Sequence, residues 1–236
     1  MRGIYKIAGR VIEIESVYDE VHKLCHEYKH SGSVDFSVKV SQNDIDSERE
    51  KSARSAGGFS DSYLETLAVY RRIAEQMIEF DTILFHGSLI AVDGEGYLFT
   101  AKSGTGKSTH TRLWRELFGE RAVMVNDDKP LLHITENGIL AYGTPWDGKH
   151  HLSSNIAVPL KAVCILARAE SNHIEKIMRS SAYPMLLQQT CRPENSFKMR
   201  KTLKLLNKIL NAASLYKLEC NMNIEAAETA YNAMKG

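Results

Sequence analysis

Apolar and polar positions alternate with a period of two over many short stretches of this chain, and with a period of about 3.6 over a few longer ones. The first eighty residues carry a mixed and weaker pattern. Ile4 to Ile14 alternates as a strand, Tyr18 to Tyr28 reads as a helix, and Asp35 to Val40 places Phe36, Val38 and Val40 on one strand face. Ser41 to Ser60 is polar, charged and glycine-containing, which predicts a mobile loop or a poorly packed helix. A firm helix follows. Ser62-Tyr63-Leu64-Glu65 has the spacing of a capping box, Leu67, Tyr70, Ala74, Met77 and Ile78 form its apolar stripe, and it runs to about Phe80.

Beyond that helix the signals sharpen. Two apolar runs, Ile83 to Val92 and Tyr97 to Ala101, flank Asp93-Gly94-Glu95-Gly96, which is hairpin chemistry. After a helical pattern from Thr111 to Phe118, Gly119 supplies a stop, and Ala122 to Val125 reads as a strand. Leu131 to Thr135 and Ile139 to Tyr142 make a second hairpin around Glu136-Asn137-Gly138. The remainder reads as strands Leu160 to Arg168, His173 to Met178 and Leu215 to Cys220, and helices Tyr183 to Thr190, Ser196 to Ala212 and Ile224 to Met234. Met199, Leu203, Leu206 and Leu210 mark the buried stripe of the second of these helices.

Between the first hairpin and the helix at Thr111 lies Ser103-Gly104-Thr105-Gly106-Lys107-Ser108-Thr109. Strand, glycine loop, then helix is the context a phosphate-binding loop needs. Glycines let the backbone curl until several N–H groups point at one place, and the helix N-terminus adds partial positive charge there. Residues 103 to 109 are therefore the predicted nucleotide-binding segment. Lys107 reaches the outer phosphates, and the Ser108 hydroxyl stands where a Mg²⁺ on those phosphates takes a ligand. The usual motif opens with glycine six positions before the lysine, whereas this chain has Ala101. Because the loop is fed by a hairpin strand, a mixed sheet is expected, not the parallel sheet of the commonest nucleoside-triphosphatases.

Composition narrows the partners. The 236 residues suffice for one sizeable domain with an appendage, and a net charge of +1 provides no general attraction for nucleic acid or acidic lipid. The first twenty residues lack a hydrophobic core of signal-peptide length and no later stretch approaches a membrane span, so a cytoplasmic protein without membrane or nucleic-acid partners is expected. Cys25, Cys164, Cys191 and Cys220 are widely spaced, which suits reduced, mostly buried thiols better than a zinc site or a disulfide framework.

Asp127 and Asp128 end the strand after the loop, where an acid is needed to complete the coordination begun by Ser108. Adjacent residues on an extended chain point to opposite sides, so one can face a metal and the other an acceptor. Asp128 is assigned to Mg²⁺ and Asp127 to the acceptor hydroxyl as general base, with the reverse assignment open. His86, in Phe85-His86-Gly87, is a structural histidine or a catalytic one. The loop Gly143-Thr144-Pro145-Trp146-Asp147-Gly148-Lys149 either closes over substrate through Trp146 and Lys149 or forms a rigid turn with Trp146 packed inside. His22, His26 and His30 suit a wet helix face better than a metal site, and the cations from Lys198 to Lys208 suit a solvated one.

The string His86-Gly87-Ser88, Gly94-Glu95-Gly96-Tyr97-Leu98-Phe99, Ser103-Gly104-Thr105-Gly106-Lys107-Ser108 and Asn126-Asp127-Asp128 resembles the catalytic domain of the HPr serine kinase/phosphorylase family. That domain is similar in turn to the nucleotide-binding domain of phosphoenolpyruvate carboxykinases. Gly143-Thr144-Pro145-Trp146, Leu166 to Asn172 and Tyr216 to Cys220 resemble HPr-kinase-like proteins found beside peptide-modification genes. The resemblance implies an α/β fold with a mixed-sheet P-loop core of the carboxykinase type. It further implies Mg²⁺ held by Ser108 and Asp128, an acceptor activated by Asp127, and an active-site place for His86. Two departures argue against HPr as acceptor: Thr109-His110-Thr111 follows the loop serine, and the distal signature used in phosphorolysis has no counterpart. The chain also lacks an evident second set of metal and oxaloacetate ligands, which argues against decarboxylation.

The expected architecture is a small N-terminal α+β flap over residues 1–60 and a nucleotide-binding domain over residues 61–236. The expected activity is ATP- and Mg²⁺-dependent transfer of the γ-phosphoryl group to a hydroxyl on a peptide or protein serine or on a small molecule, with Asp127, His86 and Lys107 as catalytic residues. The alternative is an ATP-binding module that recognises a partner without phosphotransfer. A GTP-dependent switch ranks last, because Asn126-Asp127-Asp128-Lys129 does not match a guanine-recognition motif.

Overall fold

Strand pairing divides the chain into two sheets, each with its own helices. The computed structural model describes residues 1–52, 58–148 and 150–236. The backbone separates into compact units at Met1–Glu79 and Phe80–Gly236, whereas the sequence pattern placed the division at residue 60.

In the first unit, β1 (Arg2–Ile7) and β2 (Arg10–Glu15) form an antiparallel hairpin where alternation alone suggested one strand. The difference lies at Ala8 and Gly9, whose positive φ of 47° and 78° makes the two-residue turn that matches strand twist. Helix α1 (Glu20–Leu24) is shorter than the predicted helix and passes into a single 3₁₀ turn at His26–Tyr28. His22 is not on a wet face: its Nδ1 bonds the Tyr5 hydroxyl at 2.7 Å and its Nε2 the Ser16 hydroxyl at 2.9 Å. Strand β3 (Phe36–Lys39) pairs parallel with β2. The polar stretch after it contains α2 (Gln42–Ser52), a helix tied to the next by ion pairs; the flexibility expected at residues 53–57 concerns positions outside the described ones.

Helix α3 (Asp61–Met77) belongs to this unit and packs on α1, α2 and β3. Its cap corrects the capping-box reading. Ser60 is the N-cap, its hydroxyl accepting from the Tyr63 amide, while Glu65 reaches away from the helix. The buried Glu65 carboxylate instead accepts from the Val17 amide at 2.6 Å and the Tyr18 amide at 2.9 Å, pinning the turn after β2 to α3.

The second unit is built on a nine-stranded mixed sheet, as the hairpin-fed loop predicted. Its strands are β4 (Thr82–Leu84), β5 (Ser88–Val92), β6 (Glu95–Thr100), β7 (Ala122–Asn126), β8 (Leu131–Thr135), β9 (Gly138–Tyr142), β10 (Ala157–Arg168), β11 (His173–Lys176) and β12 (Ser214–Cys220). The order is β4-β8-β9-β10-β6-β5-β7, with β12 also on β10 and β11 outside β12. The run Ile83 to Val92 is thus two strands. β4 pairs with β8, whereas β5 pairs with β6 and β7, and Phe85-His86-Gly87 crosses between them.

β10 organises the sheet because it serves three neighbours. Its first residues pair antiparallel with β9; further on it lies parallel to β6 on one edge and parallel to β12 on the other. Helix α4 (Lys107–Phe118) packs on β5, β6 and β7, and α7 (Glu225–Met234) packs on α4, β11 and β12. Between them Trp114 is fully buried against the rings of Tyr97, Phe99, Phe118 and Tyr231, so the helix that follows the glycine loop is anchored by one aromatic cluster. Helices α5 (Arg179–Gln189) and α6 (Ser196–Ala212) pack together, and α6 lies on β4, β8 and β9. Cys25 and Cys164 are buried, and Cys191 and Cys220 half-buried. Among the described residues no helix is long and apolar enough to cross a membrane.

Candidate functional site

The glycine loop leaves the end of β6 and enters α4 through Gly106. Gly104 and Gly106 have φ of 77° and 120°, a region in which a side chain is strained, and this lets the chain reverse within a few residues. The Thr105 amide closes a turn onto the Lys102 carbonyl at 3.2 Å, and the His110 amide returns to the Gly106 carbonyl at 2.9 Å, starting the helix. Residues 103–109 therefore sit, as predicted, between a strand end and a helix N-terminus. The Lys107 ammonium lies 3.5 Å from the Ala101 carbonyl and feels both aspartates. Burial pulls its pKa down, while Asp128 and Asp127 push it up.

Four segments converge beside this loop. The Asn126 side chain ends β7: its Oδ1 accepts from the Asp128 amide at 2.9 Å and the Lys129 amide at 2.6 Å, an Asx turn that directs the two aspartates apart. Its Nδ2 donates to the Thr144 carbonyl and hydroxyl, each at 3.1 Å, which ties the turn to the loop after β9. Asp127 is 7 % exposed and accepts from the Ser88 hydroxyl at 2.8 Å, with the Ser108 hydroxyl of the glycine loop nearby. Burial raises its pKa, with the two serine hydroxyls acting in the opposite direction.

Asp128 faces a different set. Its Oδ1 lies 3.2 Å from His86 Nε2 and its Oδ2 3.1 Å from Lys129 Nζ. Burial by itself would raise this carboxyl, but the His86 hydrogen bond and the Lys129 charge prevail and bring it down to about 2. His86 is fixed by its backbone: its amide donates to the Gln189 carbonyl at 2.7 Å and its carbonyl accepts from the Thr100 hydroxyl at 3.1 Å. The adjoining Gly87 amide donates to the Asp128 carbonyl at 3.0 Å, and a Cβ at Gly87 would stand 2.8 Å from the Phe99 carbonyl oxygen. That close approach is what brings His86 to Asp128.

Lys107, Ser108, Asp127, Asp128 and His86 are thus brought together. The Trp146 ring is not offered to a ligand: the residue is 4 % exposed, as in the packed-turn reading, and its carbonyl lies 3.4 Å from Asn126 Nδ2. Lys149, the other residue assigned to substrate, lies outside the described residues. Sequence reasoning named Ser88, Asn126 and Lys129 within their motifs but gave them no role. A role for Ser88 was findable, because it lies two positions from His86 and Asp127 needed a donor; Asn126 carries no signal until its Asx turn is seen.

The family model described as SynChlorMet cassette protein ScmC matches residues 62–220, and the chain belongs to that family. No curated protein matches it. Among solved structures it is similar to the Hpr(Ser) kinase/phosphatase from Coxiella burnetii, at 12 % identity and a TM-score of 0.36, covering 65 % of this chain and 99 % of that one.

Proposed function

We propose that this member of the ScmC family is an ATP- and Mg²⁺-dependent phosphotransferase that moves the γ-phosphoryl group to a hydroxyl of a peptide or protein serine or of a small molecule. The observation that carries the reading is the placement of two differently partnered aspartates beside one glycine loop. Phosphoryl transfer needs a charge-neutralised phosphate on one side and an acceptor hydroxyl with somewhere to lodge its proton on the other. Asp127, beside Ser108, serves the first need. Asp128, joined to His86, serves the second.

The fit to a divalent cation is argued from Asp127. Its carboxylate is desolvated and takes its hydrogen bond from a neutral hydroxyl, Ser88, so a cation shared with the neighbouring Ser108 would add charge that burial withholds. Asp127 and Ser108 would hold Mg²⁺ there, and the ion would supply charge neutralisation to the phosphates of the nucleotide. Lys107 and the amides at the start of α4 hold the transferring group, and Asp128, kept anionic by His86 and Lys129, orients the acceptor hydroxyl and takes its proton. This is the reverse of the first assignment of the two aspartates, the alternative that the sequence left open.

The deciding experiment follows the label of γ-labelled ATP, with Mg²⁺, into pools of serine-containing peptides and small hydroxy compounds. Asp128→Asn should abolish transfer with Mg·ATP affinity retained, and Asp127→Asn should weaken Mg·ATP binding itself. The opposite pattern would return the base to Asp127 and the metal to Asp128. Nucleotide binding with no label reaching any acceptor would favour a nucleotide-responsive binding module.

A further inference from the structure

β10 is longer than the strand it accompanies. Ile165 is level with Thr100, the last residue of β6, yet β10 continues through Leu166 and Ala167 to Arg168. β6 has by then turned into the glycine loop, so Arg168 stands beside the loop. Its backbone is anchored there by β12: Arg168 is opposite Cys220, and the Ala169 amide donates to the Cys220 carbonyl at 3.0 Å. From this position the guanidinium donates through Nε to the Thr105 carbonyl at 3.1 Å and through Nη2 to the Gly104 carbonyl.

Those two carbonyls set the orientation of two peptide planes. In a trans peptide the C=O and N–H point in opposite directions, so a carbonyl held toward Arg168 fixes the next N–H on the far side. The Gly104–Thr105 peptide is held at both ends, by Arg168 on its carbonyl and by the Lys102 carbonyl on its amide. For the Thr105–Gly106 peptide, Arg168 holds the carbonyl and the Gly106 amide is left directed away from it, at the start of α4. Glycine on either side of Thr105 makes rotation of these planes cheap, and a rotated plane presents an oxygen where a phosphate requires an N–H.

We propose that Arg168 is a positioning residue for the phosphate nest: by forking the Gly104 and Thr105 carbonyls it locks the loop in its anion-accepting form before nucleotide arrives. This rests on the nucleotide-binding reading of the loop. The guanidinium fork is essential to the role and its charge alone is not enough, because a lysine ammonium lacks the planar pair of donors that spans two successive carbonyls. Arg168 is exposed, so its truncation leaves the core untouched.

The test compares wild type, Arg168→Ala, Arg168→Lys and Lys107→Ala by calorimetric titration with Mg·ATP, with thermal unfolding and amide hydrogen exchange of the nucleotide-free proteins alongside. Arg168→Ala should weaken Mg·ATP binding by about tenfold, with exchange at the Thr105 amide, bonded to the Lys102 carbonyl in the intact loop, accelerated and the unfolding temperature unchanged. Arg168→Lys should not rescue either change. Recovery of affinity by the lysine would show that charge alone matters and overturn the proposal, as would an Arg168→Ala affinity within twofold of wild type. If wild type itself fails to bind Mg·ATP and Lys107→Ala is indistinguishable from it, the nucleotide-site reading falls and this role falls with it.

Discussion

His110 should give the protein a steep acid limit to its stability. It is the fourth residue of α4 and points into the sheet, away from the aspartates: it is 3 % exposed, edge-on to Phe99 with ring centroids 4.6 Å apart, and its Nε2 accepts from the Trp114 indole N–H at 3.0 Å. That bond requires the neutral tautomer with the proton on Nδ1, which finds no partner among the described residues. Protonation would put a donor against the indole N–H and a cation between Trp114 and Phe99. Burial accordingly brings the His110 pKa down from 6.5 to about 4.

The sign follows from linkage. Between pH 6.5 and about 4 the unfolded chain binds a proton at this position that the folded chain refuses, so stability falls as pH falls through that window and levels off once both states are protonated. A separation of this size corresponds to roughly 3 kcal/mol lost across the window, a large share of the 5–15 kcal/mol typical of a folded domain. The assay is urea unfolding of wild type and His110→Gln at half-unit steps from pH 7.5 to 4. Glutamine keeps an acceptor for Trp114, and any constant offset it introduces leaves the pH slope untouched. Carboxylates titrating in the same range contribute equally to both proteins and cancel. The variant should lose about 3 kcal/mol less than wild type on acidification; parallel curves would refute the argument.

Two further substitutions test the framework around the site and the first unit. Gly87→Ala should lower stability by about 1–3 kcal/mol, because its Cβ collides with the Phe99 carbonyl oxygen, and should reduce phosphotransfer by displacing His86; denaturant titration and the transfer assay read the two effects. Glu65→Ala should cost about 2–4 kcal/mol in denaturant titration by leaving the Val17 and Tyr18 amides without their carboxylate, and near-wild-type stability would show that water replaces it.

What the sequence disclosed depended on whether the chemistry is contiguous. The strand–glycine loop–helix passage over residues 103–109 was legible because neighbouring residues make it, and the β5–β6 hairpin because Asp93-Gly94 is itself the turn. Glu65 misled for the complementary reason. Its spacing from Ser62 fits a capping box, but a carboxylate is captured by whichever donors approach it, and two amides nearly fifty residues away did so. The break inside Ile83 to Val92 was invisible because both halves are apolar; pairing with different neighbours separates them, and pairing leaves no local period. Arg168 looked like the end of a strand, because only the unequal lengths of β6 and β10 place it at the loop.

The division of labour between Asp127 and Asp128 shows the limit most sharply. Alternation along an extended chain requires adjacent side chains to diverge, but it is indifferent to which one meets the glycine loop. That choice is made by Asn126. By capturing the Asp128 and Lys129 amides it ends the strand at residue 126, so that Asp127 stays on the buried side with Ser88 and Ser108 while Asp128 swings to His86. The same side chain grips Thr144 and the Trp146 carbonyl, so the loop after β9 acts on the two acids by fixing their turn and has no need to reach them with its own ring. A buried amide with no chemistry of its own thus decides which carboxylate is desolvated and which is paired with His86 and Lys129.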